Sequence, residues 1–139
     1  MKKIGLIFVI TMTILSCSDE FNNKNPYLPN YTFSTTIDTN LPAYSNLKYV
    51  SNAVYINGPG IGVRGIYVFN TGSGFNAFDA ACPNQSLSDC STMTLNGINV
   101  VCPCDEEEYN LFSGQSTHKQ YPLKQYRVEV NANIIRVYN

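Results

Sequence analysis

Four of the five cysteines lie in two short segments whose side chains could hold a metal or form disulfide bonds. The first segment begins with Cys82-Pro83-Asn84 and extends to Cys90, and the second is Cys102-Pro103-Cys104-Asp105. Deprotonated cysteines bind iron or zinc, whereas cysteines in an oxidising compartment pair as disulfides. Asn84 and Asp105 place oxygen atoms close to these sulfur atoms in sequence. The two segments are therefore the candidate functional site.

The spacing of these residues resembles the cluster-binding motif of Rieske proteins. That motif is Cys-x-His, a spacer, and Cys-x-x-His, in which two thiolates bind one iron of a 2Fe-2S cluster and two imidazoles bind the other. Here 17 residues separate Asn84 from Cys102, a spacer in the usual Rieske range. Asn84 and Asp105 stand where the family has its two histidines, so the motif resembles a Rieske site that lacks both imidazoles.

The resemblance extends over Ser51 to Asn139. The second segment is similar to the Cys-Pro-Cys-His loop of Rieske proteins in cytochrome complexes, where each loop carries one further cysteine and these two form a disulfide. Downstream, residues 108–114 and Tyr121-Pro122-Leu123 resemble the family's aromatic strand, glycine turn and Pro-Leu segment. The first loop departs from the family because Cys82 and Cys90 lie further apart, which requires that loop to bulge.

The resemblance implies a role for each of the four cysteines. Cys82 and Cys102 match the ligands of the cluster, and Cys90 and Cys104 match the bridging pair. In a protein without a cluster, Cys82 and Cys102 would then pair with each other. We favour this state, with no cofactor, because an even set of cysteines in a small exported domain ordinarily forms disulfides.

Two other states of the cysteines remain open. A 2Fe-2S cluster could be bound through the two ligand cysteines with Asn84 and Asp105 as oxygen donors, or through all four cysteines. The loss of both neutral imidazoles would then lower its reduction potential far below a Rieske value. Zinc is the third alternative, but the chain lacks the paired Cys-x-x-Cys knuckles typical of structural zinc sites.

Other motifs indicate no enzymatic chemistry. His118 is the only histidine and lies among polar residues, so we interpret it as a solvated surface residue. Gly60 to Gly65 matches G-x-G-x-x-G, but a β-rich stretch follows it instead of a helix, which predicts a hairpin turn and no nucleotide site. The four carboxylates from Asp105 to Glu108 are expected to be solvated, with a cation or partner site as the alternative.

The mature chain is predicted to be all-β, with stacked antiparallel sheets in a Rieske-like β-sandwich and two cysteine-bearing loops. No sustained helical stripe of apolar residues follows the leader. Asn96-Gly97 and Asn131-Ala132-Asn133 predict hairpin turns. Segments bounded by Asn, Gly, Pro or Ser predict nine strands: Tyr31–Ile37, Leu47–Ile56, Gly65–Phe69, Phe75–Asp79, Met93–Leu95, Ile98–Val101, Glu108–Phe112, Tyr126–Val130 and Ile134–Tyr138.

The first 30 residues predict export and attachment to a membrane. Residues 1–16 have two lysines before an apolar stretch too short to span a bilayer, as in a signal peptide. Ile14 to Cys17 resembles a bacterial lipobox, which makes Cys17 the lipid-bearing first residue of the mature protein. The acidic residues after it resemble those of surface-exported lipoproteins of the Bacteroidetes. Residues 17–30 are expected to be the lipidated Cys and a flexible tether, and residues 31–139 the folded domain.

Charge limits the possible partners of the domain. The formal net charge of −1 provides no basic face for nucleic acid.

Taken together, these features predict a non-enzymatic lipoprotein of the cell envelope, anchored in the outer membrane and facing either side of it. Its Rieske-like domain is predicted to be a structural or interaction module with a possible protein partner. The alternative is a 2Fe-2S electron-transfer protein with non-histidine ligands.

Overall fold

The computed structural model describes residues 24–139. Almost all of its regular structure is β, with one 3-10 helix at Pro42–Lys48. The strands are β1 (Ser34–Asp38), β2 (Ala53–Ile56), β3 (Ile66–Asn70), β4 (Phe75–Asp79), β5 (Thr94–Asn96), β6 (Asn99–Val101), β7 (Glu108–Asn110), β8 (Gln125–Asn131) and β9 (Ile134–Tyr138).

The strands form two antiparallel sheets. The larger sheet has six strands in the order β1-β9-β8-β4-β3-β2, and the smaller has three in the order β5-β6-β7. The larger sheet narrows where β4 meets β8, since only Ala77 and Phe78 pair across to Tyr126 and Gln125. This arrangement confirms the predicted all-β, antiparallel class with its two cysteine-bearing loops.

The hairpin turns predicted from local turn chemistry are confirmed. Asn96-Gly97 connects β5 to β6, with Gly97 at a φ of 61°, a left-handed conformation that glycine adopts without steric cost. Ala132 connects β8 to β9 at a φ of 52°. The segment from Gly60 to Gly65 lies in the wide turn between β2 and β3, which pair antiparallel.

The predicted strand from Leu47 to Ile56 is wrong over its first half. Leu47 ends up buried in the 3-10 helix, while Tyr49 and Val50 after it are 67% and 57% exposed. Ser51 then takes a φ of 64°, which interrupts an extended chain before β2 begins. The segment resembled the start of a strand because Tyr49 and Val50 are β-formers, but neither side chain is buried against the core.

The buried residues form two apolar clusters. One contains β1, β8 and β9 residues such as Ile37, Tyr126 and Val137. The other surrounds the cysteine loops and includes Cys82 and Cys102 together with Tyr67, Phe69, Phe78, Met93, Val100, Tyr109 and Leu111. The candidate site is thus built on a packed core, and two of its sulfur atoms belong to that core.

The residues just before the predicted domain also contact it. Asn25 Nδ2 donates a 2.7 Å hydrogen bond to the Pro83 carbonyl in the first cysteine loop. The Tyr27 ring meets the Tyr121 ring edge-on at 6.0 Å, and Leu28 is buried. Residues 17–23 of the predicted tether, with Cys17, and the predicted signal peptide lie outside the described residues. Within residues 24–139 there is no helix long and apolar enough to cross a membrane.

Candidate functional site

The first cysteine loop runs from the end of β4 to the start of β5 and is closed at its base. Met93 N–H donates to the Ala80 carbonyl at 2.7 Å, and Cys82 N–H donates to the Ser91 carbonyl at 2.8 Å. An isolated bridge pairs Ala81 with Thr92. The extra residues between Cys82 and Cys90 therefore form a bulge whose two ends stay together.

Asp79 holds the start of this loop to the turn between β2 and β3. Its buried carboxylate accepts hydrogen bonds from Val63 N–H at 2.6 Å, Ala81 N–H at 2.7 Å and the Tyr126 hydroxyl at 2.7 Å. Burial raises the pKa of Asp79, although these bonds act in the opposite direction. Asp79 thus sets the position of the backbone that leads to Cys82.

The second cysteine loop is a tight turn between β6 and β7. Cys102 N–H donates to the Glu107 carbonyl at 2.9 Å, and Glu106 N–H donates to the Cys102 carbonyl at 2.8 Å. Glu106 has a φ of 60°, so the chain reverses within this short segment. The turn leaves Pro103 exposed while Cys102 points into the core.

Two disulfides join the two loops. Cys82 bonds to Cys102, with a Cα–Cα distance of 5.6 Å, and Cys90 bonds to Cys104, with a Cα–Cα distance of 5.2 Å. Both Cα separations lie in the range that disulfide geometry requires. These are the two pairs expected for a clusterless protein.

The two bridges are adjacent but differ in their environment. The Sγ atoms of Cys82, Cys102 and Cys104 all lie within 4.8 Å of one another. Cys82 and Cys102 are each 1% exposed, whereas Cys90 is exposed and Cys104 half-buried. We call Cys82–Cys102 the inner bridge and Cys90–Cys104 the outer bridge.

Two serine hydroxyls lie beside the outer bridge. Ser88 Oγ is 3.2 Å from Cys90 Sγ and 3.8 Å from Cys104 Sγ. Ser91 Oγ is 4.0 Å from Cys104 Sγ and 3.2 Å from Ser88 Oγ. The outer sulfurs thus have neighbouring hydroxyl groups that can donate hydrogen bonds to them.

Asn84, at a histidine position of the motif, is engaged in structural hydrogen bonds. Its amide nitrogen donates to the Tyr109 hydroxyl at 2.9 Å and to the Tyr121 carbonyl at 2.7 Å. Its amide oxygen accepts from Tyr121 N–H at 2.9 Å. Burial raises the pKa of Tyr109 to about 12, so its hydroxyl stays protonated at neutral pH.

Asp105, at the other histidine position, is engaged as well. Its carboxylate forms an ion pair with Lys119 Nζ at 2.7 Å and accepts from Glu107 N–H at 3.2 Å. Desolvation would raise the pKa of Asp105, but these two interactions outweigh it and the pKa lies below its usual value. Asn84 and Asp105 therefore each face partners of their own.

Two other carboxylates of the acidic run, those of Glu107 and Glu108, also accept hydrogen bonds. Glu107 accepts a hydrogen bond from the Ser116 hydroxyl and lies 3.2 Å from His118 Nδ1. The bond from Ser116 is the main cause that lowers the pKa of Glu107. Glu108 accepts from the Asn99 amide at 3.0 Å. These contacts fasten the second loop to the segment around His118, which is itself exposed.

The residues present do not fit a 2Fe-2S cluster. The two ligand cysteines are bonded to each other, and the two positions at which a Rieske site has imidazole nitrogens hold an amide and a carboxylate. An amide oxygen is a poor ligand for iron, and the Asn84 amide already makes three hydrogen bonds. The Asp105 carboxylate could ligate ferric iron only after release from Lys119.

Several residues of the site were not foreseen from the sequence. Tyr109 and Tyr121 hold Asn84, Lys119 neutralises Asp105, and Ser88 lies beside the outer bridge. Asp79 left the clearest signal, since it is a carboxylate at the end of an apolar run directly before the first cysteine loop. The others are polar loop residues whose partners lie far away in sequence.

Comparison of the chain with known proteins gives information about its fold and none about its function. No protein-family model matches the chain, and no curated protein matches it. Among solved structures, a chain of the complex of reduced oxygenase and oxidized ferredoxin in carbazole 1,9a-dioxygenase is 20% identical, with a TM-score of 0.49 over 79% of this chain and 94% of that one.

Two further ferredoxins resemble the chain to a similar degree. The ferredoxin of carbazole 1,9a-dioxygenase from Nocardioides aromaticivorans IC177 is 13% identical, with a TM-score of 0.47 over 78% of this chain and 97% of that one. Sphingomonas yanoikuyae B1 ferredoxin is 15% identical, with a TM-score of 0.46 over 66% of this chain and 88% of that one. Likeness at this level concerns the course of the backbone, so the function is inferred from the site itself.

Proposed function

We propose that this chain is a cell-envelope lipoprotein whose Rieske-like domain carries two disulfides in place of a cluster and acts as a structural or interaction module. The observation that carries the proposal is the inner bridge, in which the two cysteines at the ligand positions are bonded to each other. A sulfur atom in a disulfide is not a thiolate, and iron binds thiolates. The domain on this proposal needs no cofactor.

The bridges suit a module that presents a fixed surface. Each closes a loop, with sequence separations of 20 and 14 residues, and so restricts the unfolded chain. Leu87 is 38% exposed in the first loop and Pro103 is exposed in the second. Binding residues are often held on loops by a rigid scaffold, and here two covalent links join the loops to each other. A protein partner at the loop surface is part of the proposal.

The membrane attachment is proposed from the sequence. A lipid on Cys17 removes the fifth cysteine from the set and leaves four, all of which form the two bridges. Mass spectrometry of the chain extracted from membranes with detergent tests this part separately. A diacylglyceryl thioether on a chain that begins at Cys17 is expected, and an intact leader with a free Cys17 thiol would contradict it.

One observation favours the alternative, a 2Fe-2S electron carrier. Three sulfur atoms, those of Cys82, Cys102 and Cys104, lie within 4.8 Å of one another, close enough to surround a metal after reduction of the bridges. In that alternative the cysteines would supply most of the ligands. The two proposals differ in the content of iron and acid-labile sulfide, both of which can be measured.

The deciding experiment measures iron, sulfide, visible absorption and free thiols on the full chain, produced in an iron-replete host that assembles clusters and exports folded proteins. A colourless protein without iron is expected, in which Cys82, Cys90, Cys102 and Cys104 offer no thiol to a labelling reagent, even after unfolding, unless reductant is added. About two irons and two sulfides per chain with a chromophore that bleaches on reduction would establish the electron carrier instead.

A further inference from the structure

The outer and inner bridges are placed so that one can react with the other. Cys104 belongs to the outer bridge, yet its Sγ lies within 4.8 Å of both sulfur atoms of the inner bridge. Cys90 is exposed to reagents in solution, while Cys82 and Cys102 are buried in the core. A reductant therefore reaches the inner bridge most directly by way of Cys104.

We propose that the two bridges form a thiol-disulfide relay, in which a dithiol outside the domain reduces the outer bridge and Cys104 passes the reduction to the inner bridge. This rests on the proposed function in so far as the cysteines are bridged and hold no cluster. The two bridges would then carry out a chemical reaction in addition to their structural role. The partner it requires is a dithiol, either a protein with two vicinal thiols or a small dithiol.

In the first step, a thiolate of the dithiol attacks Cys90 Sγ. The bond between Cys90 and Cys104 breaks, and Cys104 leaves as a thiolate. The second thiolate of the dithiol then attacks the mixed disulfide and releases Cys90, which takes up a proton. Two electrons have passed from the dithiol, now a disulfide, to the outer bridge.

In the second step, the Cys104 thiolate attacks Cys82 Sγ. The bond between Cys82 and Cys102 breaks, a bond between Cys82 and Cys104 forms, and Cys102 leaves as a thiolate that takes up a proton. Attack on Cys82 is preferred because a bond from Cys104 to Cys102 would have to close across Pro103, whose ring restricts the backbone. This exchange leaves the number of thiols unchanged. After it, the two thiols reside on Cys90 and Cys102.

The surroundings of the outer bridge favour the first step. Ser88 Oγ is 3.2 Å from Cys90 Sγ and 3.8 Å from Cys104 Sγ, so its hydroxyl can donate to the thiolate that leaves. Ser91 Oγ lies 4.0 Å from the same Cys104 sulfur. The Arg64 guanidinium donates to the Ser88 carbonyl at 3.1 Å, which brings a positive charge to this loop. Hydrogen bonds and positive charge both stabilise thiolates.

Two matched variants of the full chain test the relay. Cys90→Ser removes the outer bridge and keeps Cys104 as a free thiol, whereas Cys104→Ser removes the same bridge and keeps Cys90. Both chains are incubated at mildly alkaline pH without denaturant, quenched in acid, unfolded and labelled with N-ethylmaleimide. Peptide mapping then locates the free thiol, and Cys17 is followed on its own peptide.

The relay predicts label on Cys102 as well as on Cys104 in Cys90→Ser, with the Cys102 fraction rising during incubation. In Cys104→Ser the label stays on Cys90 because no attacking thiolate lies beside the inner bridge. Label confined to Cys104 in a folded Cys90→Ser chain would overturn the relay and leave the iron-free, disulfide-bonded module intact. Iron in the wild-type chain would instead overturn the proposed function.

The wild-type chain provides a test that does not depend on folding of the variants. One equivalent of dithiothreitol is added under native conditions, followed by the same acid quench and labelling. Label on Cys90 and Cys102, with a new bridge between Cys82 and Cys104, is expected. Label on Cys90 and Cys104 alone, at every time of incubation, would show that the inner bridge does not exchange.

Discussion

Asn84 donates a 2.9 Å hydrogen bond to the hydroxyl of Tyr109, which links the first cysteine loop to β7 behind the second loop. The same side chain pairs with both the N–H and the carbonyl of Tyr121. Asn84 thus joins three segments of chain around the two bridges. The position at which a Rieske protein would have a cluster ligand serves here as a structural connection.

Replacement of Asn84 by alanine is expected to lower the free energy of unfolding by about 2 kcal/mol. The variant loses the bonds to Tyr109 and Tyr121 and leaves partly buried polar groups without partners, which ordinarily costs about 1–3 kcal/mol. Urea unfolding monitored by circular dichroism measures the effect. Asn57→Ala, at an exposed position, is the control and should change stability little. Equal effects of the two substitutions would contradict a structural role for Asn84.

Removal of the two bridges is expected to have unequal effects. By the loop-entropy model each contributes about 2–4 kcal/mol, with a modest advantage for the inner bridge because it closes the longer loop. The double substitution Cys82→Ala/Cys102→Ala also leaves a cavity in the core, whereas Cys90→Ala/Cys104→Ala acts near the surface. Denaturant unfolding of the two double variants should therefore show a greater loss for the inner pair. Identical losses would mean that the buried sulfur atoms contribute nothing through packing.

Replacement of Gly114 by alanine is expected to destabilise the domain by about 1–3 kcal/mol. Gly114 has a φ of 73°, and a Cβ there would lie 2.8 Å from the ring of buried Phe78. Gly60→Ala is the matched control because Gly60 also has a positive φ, of 75°, but a Cβ there meets no atom within 4 Å. Thermal unfolding of both variants separates the effect of the Phe78 ring from that of the backbone. If Gly114→Ala lowers the melting temperature no more than Gly60→Ala does, the Phe78 ring can move aside.

The ion pair of Asp105 and Lys119 is expected to make stability depend on pH in the acidic range. The pKa of Asp105 is lower in the folded protein than its usual value, so the stabilisation is present above about pH 4, the ordinary pKa of an aspartate, and is lost as the pH falls through the folded value. Because the pair is partly exposed, the effect should be smaller than that of Asn84→Ala.

Asp105→Asn should therefore flatten this part of the curve of unfolding free energy against pH, and Lys119→Gln should flatten it to a similar extent. The measurement is urea unfolding at a series of pH values, at low and high salt. If the wild type and Asp105→Asn lose stability in parallel on acidification, other carboxylates are responsible. Glu107 is the first to examine, since its pKa is also lowered, mainly by the bond from Ser116.

The sequence by itself determined the features that depend on local chemistry. Asn96-Gly97 predicted a hairpin because glycine tolerates the positive φ that the turn requires, and Gly97 has that conformation. The two cysteine-bearing loops at strand ends and the antiparallel all-β class followed from the pattern of β-formers and turn residues. The sequence also shows, without a structure, that Asn84 and Asp105 stand where the motif that it resembles has histidines.

Only the tertiary structure decided which groups meet. Leu47 was assigned to a strand because its apolar neighbours resemble one, but burial against the core places it in a 3-10 helix. The partner of Asn84 at Tyr121 is 37 residues away, a distance over which no local pattern informs pairing. The approach of Cys104 to the inner bridge likewise arises from how the two loops fold over the small sheet. Such contacts depend on the packing of distant segments, and their chemistry becomes visible only once the chain is folded.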